Sequence, residues 1–166
     1  MDVARLDALS EAEFVGAAAP LFEGAPRFLH RLAWARPFDD EATLFARAEA
    51  IALAMPEDEQ LELIDAHPRL GAPPASMSAL SHREQGYDRD TTEAIAELAR
   101  LNEAYEARHG FRFCVYVAGR SRAALVPVLA EAVGADRDAE IRRALVDVVL
   151  IARDRARRLE AEAGAA

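Results

Sequence analysis

Residues 138–159 read DAEIRRALVDVVLIARDRARRL, and this stretch decides the fold. Its apolar residues recur at alternating steps of four and three, which is the spacing of one buried face of an α-helix. This seam consists of Ile141, Leu145, Val148, Ala152 and Leu159. The stretch predicts a long helix that starts at a cap on Asp136 or Asp138, ends at about Leu159 and leaves a frayed tail to residue 166.

Helix signals of the same kind recur along almost the whole chain. Further starts are predicted at Ser10-x-x-Glu13, Pro26, Asp39 or Asp40, Pro56, Asp90 or Thr91, and Ser121, with stops at Pro37, Gly110 and Gly134. Only residues 111–117, FRFCVYV, alternate like a strand, and with no second strand to pair with they predict an extended connector. The sequence thus predicts an all-α, single-domain, multi-helix bundle over residues 1–166, with its core at about 8–160.

Composition and charge exclude several classes of function. A net charge of -9 argues against a nucleic-acid partner. No apolar run is long enough to span a bilayer and the first residues do not resemble a secretory signal, so we expect a cytoplasmic protein with no membrane partner. All 20 basic residues are arginines, which excludes Schiff-base chemistry on lysine. Cys114 is the single cysteine, and we interpret it as a small buried hydrophobe.

His67 is the first candidate for proton transfer. It follows Ile64 on the apolar face of its predicted helix, and Pro68 disfavours helical geometry at His67, so the ring is expected to leave the helix end. An imidazole titrates near neutral pH and suits acid–base chemistry. The alternative is a histidine that merely stabilises a helix C-terminus.

Ser81-x-x-Glu84-Gln85 offers a carboxylate and an amide at the next helix start. The same pattern is also a capping box, and both interpretations can hold, because a box that fixes Glu84 makes its carboxylate rigid. Gln85 can donate and accept hydrogen bonds, which suits an amide-rich ligand. Residues 72–76 between the two motifs predict a loop over a site.

Arg155 falls on the apolar seam of the last helix, between Ala152 and Leu159. A guanidinium that faces a core is costly unless it meets an anion, and it can grip a carboxylate with both arms. This position therefore predicts a pocket arginine. The alternative is that the seam ends near Ala152 and Arg155 extends to water. Arginines 153, 157 and 158 lie off the seam and can be solvated charges.

The remaining polar residues do not indicate a metal or a nucleotide. His30, His82 and His109 lack carboxylate or histidine partners at metal-ligand spacing, and no glycine-rich phosphate loop occurs. Ser121 is interpreted as a helix cap and not as a nucleophile. We therefore expect neither a metal nor another cofactor.

Taken together and in order, these motifs resemble the OHCU decarboxylase family over about residues 8–160. The resemblance rests on His67-Pro68 with Leu70-Gly71, Ser81-x-x-Glu84-Gln85, Leu101-Asn102-x-x-Tyr105, Gly110-Phe111-x-Phe113, Glu140, Ala144-Leu145, Ile151-Ala152 and Arg155.

The resemblance implies a cofactor-free, usually homodimeric, all-α enzyme. Its reaction would convert 2-oxo-4-hydroxy-4-carboxy-5-ureidoimidazoline (OHCU) to (S)-allantoin in urate breakdown. The residues that match the family's catalytic pair are His67 and Glu84, and those that match its substrate pocket are Pro68, Ser81, Gln85, Phe113, Val115 and Arg155. An anionic Glu84 beside His67 would raise the pKa of the imidazole.

Two positions depart from the family pattern: Arg69 stands where many members have Asp, and Arg112 replaces a proline. They motivate an alternative, a related decarboxylase or hydrolase with a shifted substrate. A second alternative is a helical module that binds a ureide or purine without turnover. A third is a helical scaffold protein, which would leave Arg155 on the seam unexplained.

Overall fold

Eight α-helices are found in residues 1–71 and 92–164, the parts of the chain that the computed structural model describes. They are α1 (Val3–Asp7), α2 (Glu11–Ala18), α3 (Pro26–Trp34), α4 (Glu41–Ala54), α5 (Glu57–Asp65), α6 (Thr92–His109), α7 (Arg122–Gly134) and α8 (Arg137–Gly164). Neither range contains a β-strand, so the predicted all-α fold is confirmed. No helix in them combines the length and apolar character needed to cross a membrane.

The helix starts follow the predicted capping chemistry. Ser10 and Glu13 form the full capping box of α2, with each side chain accepting from the other residue's backbone N–H. Asp40, and not Asp39, caps α4, and Ser121 caps α7. The predicted cap at Asp90 or Thr91 lies outside the described residues. The five-residue α1 was not predicted, because one turn and a half shows no apolar period.

The long helix α8 forms the centre of the core and packs against α4 and α5. Four of the five predicted seam residues, from Ile141 to Ala152, are buried. The prediction was wrong for Leu159, which is 40% exposed, and for the frayed tail, because α8 continues to Gly164. Residues 157–164 are exposed on all sides, and their alanines, arginines and glutamates sustain the helix by propensity rather than by burial.

The predicted connector begins where Gly110 ends α6 in the left-handed region, at a φ of 81°. Phe111 and Phe113 point inward and meet Tyr105 of α6 edge to face, with ring centroids 5.5 and 5.2 Å apart. Cys114 is buried among apolar neighbours, as predicted. The connector is therefore anchored by its aromatic side chains instead of by strand pairing.

Candidate active site

A pocket opens where the end of α5, the connector and the C-terminal half of α8 meet. The volume open to a water-sized molecule is about 40 Å³, and the surrounding space, which includes the open mouth, is about 500 Å³. The described residues of its wall are His67, Pro68, Leu70, residues 113–119 (most of the connector and the two residues after it), Ile151, Asp154, Arg155 and Arg158. The tertiary structure thus brings His67, Pro68, Phe113, Val115 and Arg155 to one place.

His67 sits just beyond α5, with its backbone N–H bonded to the Ile64 carbonyl 3.1 Å away. The ring is only 3% exposed. Its Nδ1 lies 3.1 Å from the Leu63 carbonyl oxygen, which can only accept, so Nδ1 carries the proton. In the neutral ring Nε2 then holds the free lone pair, and this atom is buried with no hydrogen-bond partner among the described residues.

Burial is the main influence on the charge state of His67. Desolvation and, second, the positive charge of Arg155 lower the pKa of the imidazole, the Leu63 carbonyl and Glu23 raise it by less, and the net result is a pKa of about 4. The predicted raising of this pKa depends on Glu84, which lies outside the described residues; among those described, burial and a nearby cation outweigh the anion present. His67 is neutral at pH 7, with a lone pair available on Nε2.

Arg155 is only 1% exposed, which confirms that the seam continues past Ala152. Its guanidinium meets the anion that its burial requires, the Glu23 carboxylate, at 2.8 Å. A second arm donates to the carbonyls of Pro20 and Leu21 at 3.3 and 3.1 Å. Arg155 thus lines the pocket while its far side is held by the turn between α2 and α3.

The connector wall is held from behind by a partly buried polar network on α8. Arg143 donates to the Cys114 carbonyl at 2.8 Å and lies 4.8 Å above the Phe113 ring. Glu140 and Asp147 pair with Arg143 at 2.8 and 2.9 Å. Burial raises the pKa of Asp147, and Arg143 partly offsets this effect. The network fixes the backbone between Phe113 and Val115 against the pocket.

The two arginines that depart from the family pattern are not among the described residues of the pocket wall. Arg69 pairs with Glu106 on the exposed side of α6. Arg112 donates to the backbone carbonyls of Asp65 and His67 at 2.7 and 3.3 Å. Arg112 therefore joins the connector to the His67 turn, a task that a proline could not perform with its side chain.

Three sequence-predicted site residues, Ser81, Glu84 and Gln85, lie outside the described residues. Conversely, sequence reasoning missed Glu23, and it treated Arg158 as a solvated charge. Arg158 is 45% exposed and pairs with Asp154 at 2.7 Å on the border of the pocket. Its spacing of four from Asp154 was a usable signal, whereas nothing local in the sequence connects Glu23 with Arg155.

The described residues show no cluster of three or more histidine, cysteine or acidic side chains placed to hold a metal ion. His30 contacts Glu11 at 2.7 Å on the surface, and His109 donates to the Ala132 carbonyl at 3.0 Å. Ser121 is engaged as the α7 cap. The pocket's described polar groups are thus one neutral imidazole, two guanidiniums, one carboxylate, the thiol of Cys114, the phenol of Tyr116 and the backbone of residues 113–119.

Known proteins are similar to this chain in sequence and in fold. It is 31% identical over 157 residues to the uric acid degradation bifunctional protein PucL of Bacillus subtilis, covering 93% of this chain but only 31% of that protein. It is 28% identical over 151 residues to the 2-oxo-4-hydroxy-4-carboxy-5-ureidoimidazoline decarboxylase of Haloferax volcanii, covering 89% of each.

A crystal structure of OHCU decarboxylase in the presence of (S)-allantoin superposes with a TM-score of 0.72 at 22% identity, covering 86% of this chain and 96% of the other. This likeness concerns the fold. In sequence, the family model for OHCU decarboxylase matches residues 7–157, which is nearly the whole chain. The chain therefore belongs to the OHCU decarboxylase family.

Proposed function

We propose that this chain decarboxylates 2-oxo-4-hydroxy-4-carboxy-5-ureidoimidazoline to (S)-allantoin, a step of urate breakdown. The observation that carries the proposal is a buried imidazole, whose Nε2 has no hydrogen-bond partner in the described ranges, in the same pocket wall as a buried guanidinium. Membership of the family supports the choice of substrate.

The substrate makes a cofactor unnecessary in this proposal. Its name places a carboxylate and a hydroxyl on the same ring carbon. When the bond to the carboxylate breaks, carbon dioxide leaves and the electron pair stays on that carbon, where the adjacent imine and carbonyl can delocalise it. The protein then has to bind an anion, exclude water and move one proton.

His67 is the proposed acid–base group. With Nδ1–H held by the Leu63 carbonyl, the Nε2 lone pair can accept the substrate's hydroxyl proton. As carbon dioxide leaves, its electron pair forms a double bond to the neighbouring ring carbon, which carries the ureido group, and the imine nitrogen takes a proton from solvent. The imidazolium can then return the hydroxyl proton to that neighbouring carbon while the hydroxyl-bearing carbon becomes a carbonyl. Glu84, which lies outside the described residues, would orient His67 or the ureido group.

Arg155 is the proposed partner of the substrate's anionic and carbonyl groups, and it supplies orientation rather than protons. Pro68, Phe113 and Val115 form the wall against which the ring packs. Ser81 and Gln85 would complete the polar contacts. A single domain over residues 1–166, a homodimer and a cytoplasmic location remain part of the proposal.

The decisive experiment is to follow freshly prepared substrate and the optical activity of the allantoin formed. We expect His67→Ala to lower kcat by about a hundred- to ten-thousandfold, the usual contribution of general acid–base catalysis. His30→Ala is the matched control, because His30 is an exposed surface histidine, and it should retain wild-type turnover. Near-wild-type turnover by folded His67→Ala would overturn the role of His67.

The rival function is a binding module of the same fold. Calorimetry with (S)-allantoin beside the turnover assay separates the two, since binding without turnover selects the module. The shifted-substrate alternative has less support than the sequence suggested, because Arg69 and Arg112 are directed to Glu106 and to backbone carbonyls.

A further inference from the structure

We propose that Glu23 is a positioning residue for the reaction, which acts by fixing the guanidinium of Arg155 in the pocket wall. The inference rests on the proposed function and adds a residue to it. Glu23 is not among the described residues that line the pocket, so its contribution would pass through Arg155 and not through the substrate.

The guanidinium of Arg155 is held by hydrogen bonds and an ion pair on the side away from the pocket. The carboxylate of Glu23 is 14% exposed and lies 2.8 Å from one terminal nitrogen of the guanidinium. The carbonyls of Pro20 and Leu21 accept from the other terminal nitrogen. These three acceptors, which belong to the described part of the chain, come from a single turn after α2, so the position of this turn helps to set the position of the guanidinium.

The backbone of the turn is unusual at the residue that carries the carboxylate. Glu23 has a φ of 52° and Gly24 a φ of 78°, two consecutive residues in the left-handed region. A residue with a Cβ is strained in this region, where glycine is favoured. The turn is closed by a 3.0 Å hydrogen bond from the Gly24 N–H to the Ala19 carbonyl. Glu23 therefore has a strained backbone in the conformation that places its carboxylate against Arg155.

The charges show why such a support matters for the pocket. Arg155 and His67 line the same cavity, and the positive charge of Arg155 lowers the pKa of His67 whereas Glu23 raises it. A guanidinium without a fixed counter-charge would be free to turn toward or away from the imidazole. Glu23 therefore keeps the two pocket groups in a constant electrostatic relation.

The test is a double-mutant cycle on kcat, with Glu23→Gln, Arg155→Gln and the double variant. Glu23→Gln keeps the length of the side chain and removes its charge. We expect it to lower kcat by about ten- to a hundredfold, the effect of a small misplacement in a positioned site, with a smaller change in KM. In the Arg155→Gln background the same change should have almost no further effect on kcat.

Glu23→Asp keeps the carboxylate and should recover part of the loss, and aspartate also tolerates a left-handed φ better than most residues. It is the variant to use if Glu23→Gln does not fold. Glu49→Gln is the control, because it makes the same charge change on the exposed surface of α4 and should leave kcat unchanged.

The outcomes separate the two proposals. If Glu23 only stabilises the fold, Glu23→Gln will lower the melting temperature while kcat per folded molecule stays at the wild-type value, and the positioning role is overturned. Equal losses of kcat in the wild-type and Arg155→Gln backgrounds overturn it as well. If the wild-type chain does not turn over the substrate, the proposed function fails and the role of Glu23 in it fails too.

Discussion

Replacing His67 with asparagine should remove a pH-dependent part of the stability of this protein. Burial lowers the pKa of His67 from its ordinary 6.5 to about 4. At pH values between about 4 and 6.5, His67 is protonated in the unfolded chain and unprotonated in the folded chain. The contribution of the neutral imidazole is therefore fully present above pH 6.5, decreases as the pH falls through this window, and is absent below about 4.

The size of the effect follows from the same two values. The interval from 6.5 to about 4, at about 1.4 kcal/mol for each pH unit, corresponds to about 3 to 4 kcal/mol of unfolding free energy, of which about 3 kcal/mol is lost between pH 7 and pH 4. Other groups, such as the carboxylates, also titrate in acid, but they are shared by the wild type and the variant. The difference between the two proteins therefore isolates His67.

Urea unfolding followed by circular dichroism at pH 7, 6, 5 and 4 would measure this difference. The advantage of the wild type over His67→Asn should be smaller at pH 4 than at pH 7 by about 3 kcal/mol. His67→Gln should show the same trend, because it too lacks a titrating group. A difference between wild type and variant that stays constant over this range would refute the burial argument.

Three further changes test other parts of the structure. Arg112→Ala should lower kcat by about three- to tenfold with little effect on the melting temperature, because it releases the turn that carries His67; unchanged turnover would contradict this. Arg158→Gln should lower kcat/KM by about two- to fivefold at low salt and make kcat/KM less dependent on salt, because it removes a positive charge at the pocket that attracts an anionic substrate. Arg157→Gln removes the same charge from an exposed neighbouring position and should have neither effect. Ser10→Ala should cost about 1 kcal/mol of unfolding free energy with kcat unchanged, as measured by urea titration, since it removes only the α2 cap.

The helices could be predicted because their signals are local. Ser10 with Glu13, Pro26 and Ser121 each act on backbone groups within one turn, and the structure confirms all three. The end of α8 could not be predicted in this way. Whether a seam residue such as Leu159 is covered depends on where other helices stop, and no periodicity contains that information.

In the candidate site, too, local features were predictable and distant contacts were not. The burial of Arg155 was predictable from its place on the apolar seam, and so was its need for an anionic partner. The identity of that anion was not, because Glu23 lies 132 residues away in sequence. The lowering of the His67 pKa by its described surroundings could not be read from the sequence, because desolvation depends on the whole enclosure and not on one neighbour.

By itself, the sequence determined the helical architecture, the extended connector and the residue types available for chemistry, because capping, periodicity and side-chain chemistry are properties of short segments. Only the tertiary structure decided that His67 faces the pocket as a neutral imidazole, that Arg155 is held by the α2–α3 turn, and that Arg112 binds the His67 turn. These features come from distant segments packed together, where burial sets the electrostatics and the chain path sets the distances.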